Sequence, residues 1–424
     1  MGKGYIIRFT ALLCALAICL SGKASPNDES AVSNKPLHLY DNVTNEDWSI
    51  DTAHVKELRL NVNSTLFFRD NEFSTPLVNG YTLPGFRLCP NVEYTPSKYV
   101  QVQLGVYMMK FWGAKSYPNA AYSDLPYWTG NDNAVTGLHV VPYFRVQMAT
   151  KWGLNIILGS IYGARYHNLI EPLYAPELNF TADPETGVQF LYSNKWLNFD
   201  AWINWQSFIY KLDNHQEAFT FGVSAKFKYN STESRIHVYS PLQAIFHHRG
   251  GEIDTISTNR VQTLINTAAG VGARIAINKR CVRSLAIEAN GMLYNQESGH
   301  LWPFQNGWAV HANAILDLSF MRIRTGYFYG NEFISLFGYP FFGNFSQSTP
   351  GLTFPRTSMA YVGLNFNYTF HPGYTLGVNA EMYQHFAATG YINDVARRYD
   401  PSTSFAASIY FYLNPSFLLK SFKK

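Results

Sequence analysis

The chain has 424 residues and carries 33 lysines and arginines against 29 aspartates and glutamates, which gives a net charge of +4. So small a basic surplus argues against nucleic acid as a partner. Charged residues make up only 15% of the chain, compared with about 25% in ordinary soluble domains, whereas aromatic residues make up 16%. No stretch of about 18 consecutive apolar residues occurs, so the sequence excludes membrane-spanning helices.

The first residues have the pattern of an export signal. Lys3 and Arg8 form a basic start, residues 9–20 form an apolar core, and residues 21–24 offer small side chains for cleavage. The core is too short to span a bilayer of about 30 Å, so we interpret residues 1–24 as a cleaved signal peptide rather than as a membrane anchor. The chain is therefore predicted to be exported across the inner membrane.

Most of the remaining chain consists of runs of about ten residues that alternate between apolar and polar side chains. The clearest run is 57–68, where apolar side chains such as Leu58 and Leu60 alternate with polar ones such as Arg59. Because successive side chains of a strand point to opposite faces, each run presents one apolar and one polar face. The pattern predicts about sixteen strands, the last of them over 405–413.

The connections between these strands alternate in length. Tight turns are predicted near residues 96–98, 150–153, 194–195, 230–234, 279–283, 319–321 and 371–373. Longer loops are predicted at 113–136, 165–186, 212–217, 248–259, 295–306, 330–357 and 387–402. Bacterial outer-membrane barrels have this order, with short periplasmic turns, long extracellular loops and an even number of strands. The sequence therefore predicts an all-β fold, a transmembrane antiparallel β-barrel over residues 54–424. A soluble β-sandwich also alternates, but one of this length would need several domains joined by linkers, and none is visible.

The outward faces of the predicted strands suit contact with lipid. They contain Leu, Val, Ile and Phe with almost no charge, as hydrocarbon requires. Trp and Tyr residues, for example Trp152 and Trp196, concentrate near strand ends, where their rings suit the headgroup region. We therefore expect outer-membrane lipid as a partner, and we place the protein in the outer membrane of a Gram-negative bacterium. The polar, unpatterned residues 25–53 are predicted to form a periplasmic tail or a plug segment inside the barrel.

The inward faces are predicted to be polar and mixed in charge. A barrel of about sixteen strands is too wide for side chains alone to fill, so an aqueous or a plugged lumen is expected. Such a lining would let small hydrophilic solutes pass with weak ion selectivity. The predicted pore-lining residues are Arg59, Arg87, Glu93, Gln101, Gln103, Arg145, Asp200, Asn204, Lys226, Arg274, Glu288, Asp317, Arg322, Arg324, Asn365 and Glu381.

Together, the export signal, the alternating strands, the tight turns and the long loops resemble the general bacterial porins over residues 57–413. In such porins the loop after the fifth strand folds inward, and its carboxylates face arginines on the barrel wall. The resemblance implies a constriction loop at 165–186, opposite Arg59, Arg87 and Arg145, while an outward, solvated loop is the alternative. Its acidic residues are Glu171, Glu177, Asp183 and Glu185.

The chain departs from the porins at its end, because it continues beyond the last predicted strand through Pro415 to Lys424. This tail and the abundance of Tyr, Phe and Asn resemble barrels of the Bacteroidetes group. The departure leaves open whether the chain forms the homo-oligomer that the porin resemblance implies.

The predicted function is that of a porin-like channel for passive diffusion of small hydrophilic solutes. The alternative is a closed barrel with a structural, assembly or surface-binding role, in which residues 25–53 or the aromatic loop 330–357 fill the lumen. The alternatives for that loop are a lid over the lumen, a contact with a partner, a contact with lipid, or a local cap that packs on itself. A loop of this length usually has a structural or functional role. Its aromatic residues are Phe333, Phe337, Tyr339, Phe341, Phe342, Phe345 and Phe354.

We expect no enzymatic activity, no cofactor and no metal site. The sequence places no recognisable serine or aspartate partner beside His247, His311 or His385. An enzyme would require a serine or a carboxylate within hydrogen-bond reach of one of these histidines. His247, His248 and Glu252 are a weak signal for a metal, because their spacing at the base of a loop is not diagnostic.

Overall fold

The computed structural model describes residues 48–112, 138–210, 216–251, 261–279, 281–371 and 373–423. The predicted signal peptide and most of the polar segment 25–53 lie outside the described residues, as does the whole of the predicted loop 113–136.

The described chain is built almost entirely from antiparallel strands. The strands are β1 (Glu57–Thr75), β2 (Val78–Ser97), β3 (Val100–Phe111), β4 (His139–Ala149), β5 (Leu154–Ser160), β6 (Thr186–Ser193), β7 (Leu197–Ser207), β8 (Ala218–Lys228), β9 (Ile236–Arg249), β10 (Gln262–Ala276), β11 (Val282–Ser298), β12 (Asn306–Leu318), β13 (Arg322–Asn331), β14 (Arg356–His371), β15 (Tyr374–His385), β16 (Ala388–Ile392), β17 (Val395–Tyr399), β18 (Ser402–Leu413) and β19 (Ser416–Ser421). The helical segments are one α-helical turn, α1 (Leu178–Thr181), and 3-10 turns at Thr52–His54, Ala164–His167 and Pro340–Phe342.

Sixteen of these strands form a closed barrel, which confirms the predicted fold class. Strands β1 to β15 each pair with the next, and β18 pairs with both β15 and β1 to close the ring. Strand β19 continues β18 along the same edge of β1, since Leu413 lies opposite Ser64 and Ser416 lies opposite Asn61. Strands β16 and β17 form a separate hairpin in the connection from β15 to β18.

The two ends of the barrel differ in their connections. At one end, which we call the tight-turn end, short segments such as 150–153 and 319–321 join successive strands. At the other, the long-loop end, connections such as 161–185 and 332–355 are much longer. Strands β1 and β2 are the exception, because β1 runs beyond the predicted end at residue 68 to Thr75 and only two residues join it to β2.

Side-chain burial follows the strand period. In β11, Glu288, Asn290 and Met292 point inward and are buried, whereas Ile287 and Leu293 point outward and are exposed. Polar inward positions and apolar outward positions are what a barrel in lipid with a polar interior requires. Within the described residues, no helix has both the length and the apolar character needed to cross a membrane.

Two loops of the long-loop end fold into the barrel and form its core. Phe180 of the segment 161–185, which we call the first inner loop, stacks on Phe67 of β1 at a centroid distance of 5.0 Å. Phe341 of the segment 332–355, the second inner loop, packs against Phe73 of β1 at 5.1 Å and Tyr383 of β15 at 4.6 Å. The aromatic loop therefore packs against the inward side chains of the wall.

Candidate functional site

A buried arginine on β1 joins the barrel wall to both inner loops. Arg69 is 1% exposed, and its Nε donates to Glu177 Oε2 of the first inner loop at 2.7 Å. Its Nη2 donates to Glu381 Oε2 on β15 at 3.0 Å and to the hydroxyl of Tyr339 in the second inner loop at 2.6 Å. The planar guanidinium suits such a junction because it presents several donors in a fixed geometry.

A second arginine extends this ion-pair network. Arg324 on β13 forms an ion pair with Glu171 of the first inner loop. Its Nη2 also lies 3.4 Å from Glu381 Oε1, so the Glu381 carboxylate is shared between Arg324 and Arg69. All of these groups are buried. Removal of one member of such a network leaves a buried charge on the others without an opposite charge to balance it.

The first inner loop folds inward, as the porin resemblance implies, but its carboxylates meet other basic side chains than Arg59, Arg87 and Arg145. Asp183 Oδ1 lies 2.7 Å from His139 Nδ1, and Glu185 Oε2 lies 3.0 Å from His167 Nε2.

The three arginines have other partners because their positions on the wall differ from those of the acids. Arg59 pairs with Glu57, near the tight-turn end. Arg87 donates to the backbone carbonyl of Asn179, and Arg145 donates to the carbonyl of Ile161 at 2.9 Å. Two of the predicted arginines thus hold the backbone of the loop rather than its carboxylates.

The predicted pore-lining residues all occupy inward positions of their strands. Several of them contact the inner loops instead of an open lumen, as Arg87, Arg145 and Arg324 show. Others bond to each other, for example Gln103 Nε2 to Glu93 Oε2 at 2.7 Å. Their role in solute passage stays a prediction.

One of the three singled-out histidines lies beside a serine. His385 Nε2, at the end of β15, is 3.0 Å from Ser404 Oγ, near the start of β18. Ser404 is fully buried and His385 is 7% exposed. The backbone N–H of Ser74 donates to the same Ser404 oxygen at 3.0 Å, which fixes the position of the hydroxyl. A hydroxyl within hydrogen-bond reach of an imidazole is one part of the arrangement that an activated nucleophile needs.

The other two histidines have no such partner in the described part of the chain. His247 Nδ1 lies 3.0 Å from Thr220 Oγ1, and its Nε2 accepts from Arg249 Nε at 2.9 Å. His311 Nε2 lies 2.8 Å from the hydroxyl of Tyr361.

A second polar centre contains a histidine that sequence reasoning missed. His167 of the first inner loop lies between two carboxylates, with Nδ1 2.7 Å from Asp200 Oδ2 and Nε2 3.0 Å from Glu185 Oε2. Its ring stacks on Trp202 at a centroid distance of 3.5 Å. Burial disfavours the charged ring, but Glu185 and Asp200 outweigh it and raise the pKa of His167 to about 10. At neutral pH the ring is therefore a cation that donates to both acids and is not available as a base.

His167 also borders a pocket that is partly open to solvent. Aromatic side chains and hydrogen-bonding groups share its lining, which includes Trp48, Tyr166, Asp200, Ser224, Lys226 and Gln243. Asn198 and Lys226 lie close to the tight-turn ends of β7 and β8, which places the pocket toward that end of the barrel.

Among the described residues, no group of three His, Cys, Asp or Glu side chains is arranged to hold a metal ion. Glu252, the acidic member of the weak metal signal, lies outside the described residues. His248 Nδ1 lies 2.9 Å from Thr263 Oγ1, and its Nε2 lies 2.9 Å from the carbonyl of Gly250.

The closed barrel of sixteen strands, with apolar side chains outside and polar ones inside, defines an outer-membrane β-barrel protein of porin-like architecture. The chain belongs to the Lipid A 3'-O-deacylase-type family, whose model matches residues 50–422. This family confirms the resemblance to outer-membrane barrels. No curated protein matches the chain.

Solved structures of outer-membrane proteins show a distant likeness. OccAB2 from Acinetobacter baumannii is 9% identical with a TM-score of 0.48, and the match covers 87% of this chain and 100% of that one. OpdK from Pseudomonas aeruginosa is 11% identical with a TM-score of 0.45, over 86% and 100% of the two chains. OmpT from Vibrio cholerae is 10% identical with a TM-score of 0.42, over 84% and 99%. We draw no functional inference from similarities at this level.

The expectation that the chain is not an enzyme is wrong. The family to which it belongs is named for an enzyme, a deacylase, and this points to enzymatic function. The sequence pattern does not bring His385 and Ser404 together, whereas the pairing of β15 with β18 does.

The Arg69 ion pairs lead to a first prediction. Arg69→Met keeps an apolar side chain of similar length but leaves Glu177 and Glu381 with less compensation, so we expect a loss of about 3–5 kcal/mol in unfolding free energy. Urea unfolding in detergent micelles, followed by tryptophan fluorescence, measures this loss. The matched control is Arg398→Met on the exposed strand β17, where a change within about 0.5 kcal/mol is expected. Equal effects of the two substitutions would contradict a structural role for Arg69.

His167 leads to a pH prediction. Its folded pKa of about 10 lies above the ordinary value of 6.5, so the stabilisation by its charged form is complete below pH 6.5 and is lost as the pH rises through 10. We therefore expect the stability difference between the natural chain and His167→Gln to shrink between pH 7 and pH 10.5. Urea midpoints of both proteins across this range provide the measurement. A difference that stays constant would show that His167 is not held as a cation.

Proposed function

We propose that this protein is an ester hydrolase of the Gram-negative outer membrane that removes an O-linked acyl chain from a lipid A-type glycolipid. The observation that carries the proposal is the match of the Lipid A 3'-O-deacylase-type family model to residues 50–422. The family description names the bond that is cleaved, an ester of a sugar oxygen, and such a substrate lies in the same membrane as the barrel.

Ester hydrolysis needs a nucleophile and a base, and Ser404 and His385 provide both groups. With the ring of His385 protonated on Nδ1, the Ser404 hydroxyl donates to Nε2 across 3.0 Å. Within the described residues, no carboxylate forms an ion pair with His385, so nothing in the described part of the site favours a charged ring. A neutral imidazole can accept the serine proton. The His167 ring cannot, because it is protonated between its two acids.

The reaction follows the general course of a serine esterase. Ser404 Oγ attacks the carbonyl carbon of the ester while His385 Nε2 takes the hydroxyl proton. The C–O bond to the sugar then breaks, and His385 returns the proton to the sugar oxygen, which leaves an acyl group on Ser404. Water, activated by the same ring, hydrolyses this acyl ester, so that the products are a free fatty acid and the sugar hydroxyl.

The position of the pair suits a lipid substrate. It lies at the long-loop end, which the alternation of connection lengths predicts to be extracellular. The residues that directly follow, Phe386 and Phe405, are exposed, and Phe405 is on the outward face of β18. An acyl chain along this outer surface would bring its ester close to the rim of the barrel.

The buried state of Ser404 means that neighbouring side chains move when an ester enters. Phe341 of the second inner loop is one of these neighbours, because its ring lies 5.6 Å from the ring of His385. The inner loop therefore contributes to access as well as to the core.

The test is acyl release from lipopolysaccharide by the purified, folded barrel, measured by mass spectrometry of lipid A and of free fatty acid. We expect Ser404→Ala to lower the rate by about 10³-fold or more, because the nucleophile is removed. The matched control is Ser408→Ala, on the same strand and the same inward face, whose hydroxyl has no hydrogen-bond partner among the described residues. We expect it to retain the rate of the natural chain.

Two outcomes would contradict different parts of the proposal. Absence of acyl release by the natural chain would overturn the hydrolase function itself. Acyl release that survives Ser404→Ala but is lost in His167→Gln would keep the function and move the reaction to the second polar centre.

Passive diffusion of small hydrophilic solutes is a second candidate function. It is supported by the polar inward wall and by the pocket that borders His167. The packing of both inner loops against that wall counts against a wide passage and favours a closed barrel. Ion conductance separates these alternatives.

A further inference from the structure

Basic side chains from three neighbouring strands cluster on the inward wall at the tight-turn end. Lys226 and Lys228 lie at the end of β8, His237 near the start of β9, and Arg274 near the end of β10. The ladders place them side by side, since Lys228 is opposite Tyr239 and His237 is opposite Arg274. We call these four residues the basic cluster.

Two members of the basic cluster lack an acidic partner. Lys228 is only 5% exposed, and its Nζ donates to the amide oxygen of Asn198 at 2.9 Å. In the described part of the chain, neither Lys228 nor Arg274 forms an ion pair with a carboxylate. A buried ammonium with one neutral partner is costly, and a second cation nearby adds repulsion.

The acidic group on the next strand does not neutralise the cluster. Glu288 of β11 lies opposite Gly272 in the ladder, two residues from Arg274. Its Oε1 accepts from Asn290 Nδ2 at 2.9 Å, and it forms no ion pair with Arg274 among the described residues. No carboxylate of the described wall therefore pairs with Lys228 or Arg274.

The basic cluster adjoins the pocket that borders His167. Lys226 lines this pocket, and its Nζ lies 5.0 Å from the centre of the Tyr239 ring. Asn198, which holds Lys228, lines the same pocket. Ser224 and Gln243 add uncharged hydrogen-bonding groups to the lining. The carboxylate in the lining, Asp200, is paired with His167 at 2.7 Å.

We propose that the basic cluster and this pocket form a binding site for an oxyanion, a phosphate or a carboxylate group, that enters from the tight-turn end. Lysine and arginine donors, supported by amide and hydroxyl groups, are the chemistry that recognises such anions. The site is separate from Ser404 and His385, which lie at the opposite end of the barrel, and it does not depend on the hydrolase proposal.

The experiment measures the thermal midpoint of the full chain in detergent with sodium phosphate, with sodium succinate, and with sodium chloride at the same ionic strength. A ligand that binds the folded state alone raises the midpoint by an amount that grows with the ratio of its concentration to its Kd, so we expect a rise of at least about 2 °C over chloride. A rise with phosphate alone identifies a phosphate site, and a rise with succinate as well identifies a general oxyanion site.

The variants locate the effect. Lys228→Met and Arg274→Met should each abolish the rise, and Lys228→Met should not lower the midpoint in chloride, because it removes an uncompensated buried charge. Lys195→Met, at an exposed tight turn, is the matched control and should keep the rise. If Lys228→Met does not fold, Arg274→Met alone carries the test. An equal midpoint in all three salts, or a rise that persists in the cluster variants, would overturn the proposal.

Discussion

The interior of this barrel depends on the ion pairs and hydrogen bonds of the buried Arg69 guanidinium. A ring of sixteen strands encloses more volume than its own wall side chains can fill, and two loops of the long-loop end occupy that volume. These loops bring carboxylates and backbone groups into a space where unpaired charge is costly. Arg69 meets this constraint for both loops at once, through Glu177 and Tyr339, and connects them to Glu381 of the wall.

The two ends of the barrel differ chemically. At the long-loop end, Ser404 and His385 lie on the inward wall, and the residues that follow them, Phe405 and Phe386, are exposed. At the tight-turn end, the pocket beside His167 and the basic cluster form a polar, positively charged recess. The family assignment and the chemical difference between the two ends both favour a reaction at the rim of the barrel over transport of solutes through its lumen.

The sequence was sufficient to predict the fold because lipid outside and polar groups inside impose a period of two on every strand. Strands such as β3 and β18 follow directly from that period. The extension of β1 to Thr75 was not predictable in this way. The polar side chains Arg69 and Asn71 indicate the end of the strand, and only the structure shows that both donate to Glu177. The inward fold of loop 165–186 came from the porin resemblance, and its ion-pair partners depend on packing that no local pattern encodes.

The candidate site was beyond sequence reasoning for a related reason. His385 was recognised as an inward histidine, but its partner Ser404 is on another strand, and the contact depends on the register between β15 and β18. His167 gave no signal at all, because Asp200 and Glu185 reach it from a strand and from the far end of its own loop.

Single-channel recording in a planar bilayer with potassium chloride tests most directly whether the inner loops fill the lumen. The protein is first shown to be folded by its heat-modifiable migration on a gel. A lumen filled by both loops predicts no stable conductance steps of nanosiemens order. Stable steps of that size from the folded barrel would show an open passage, and would contradict the packed interior described here.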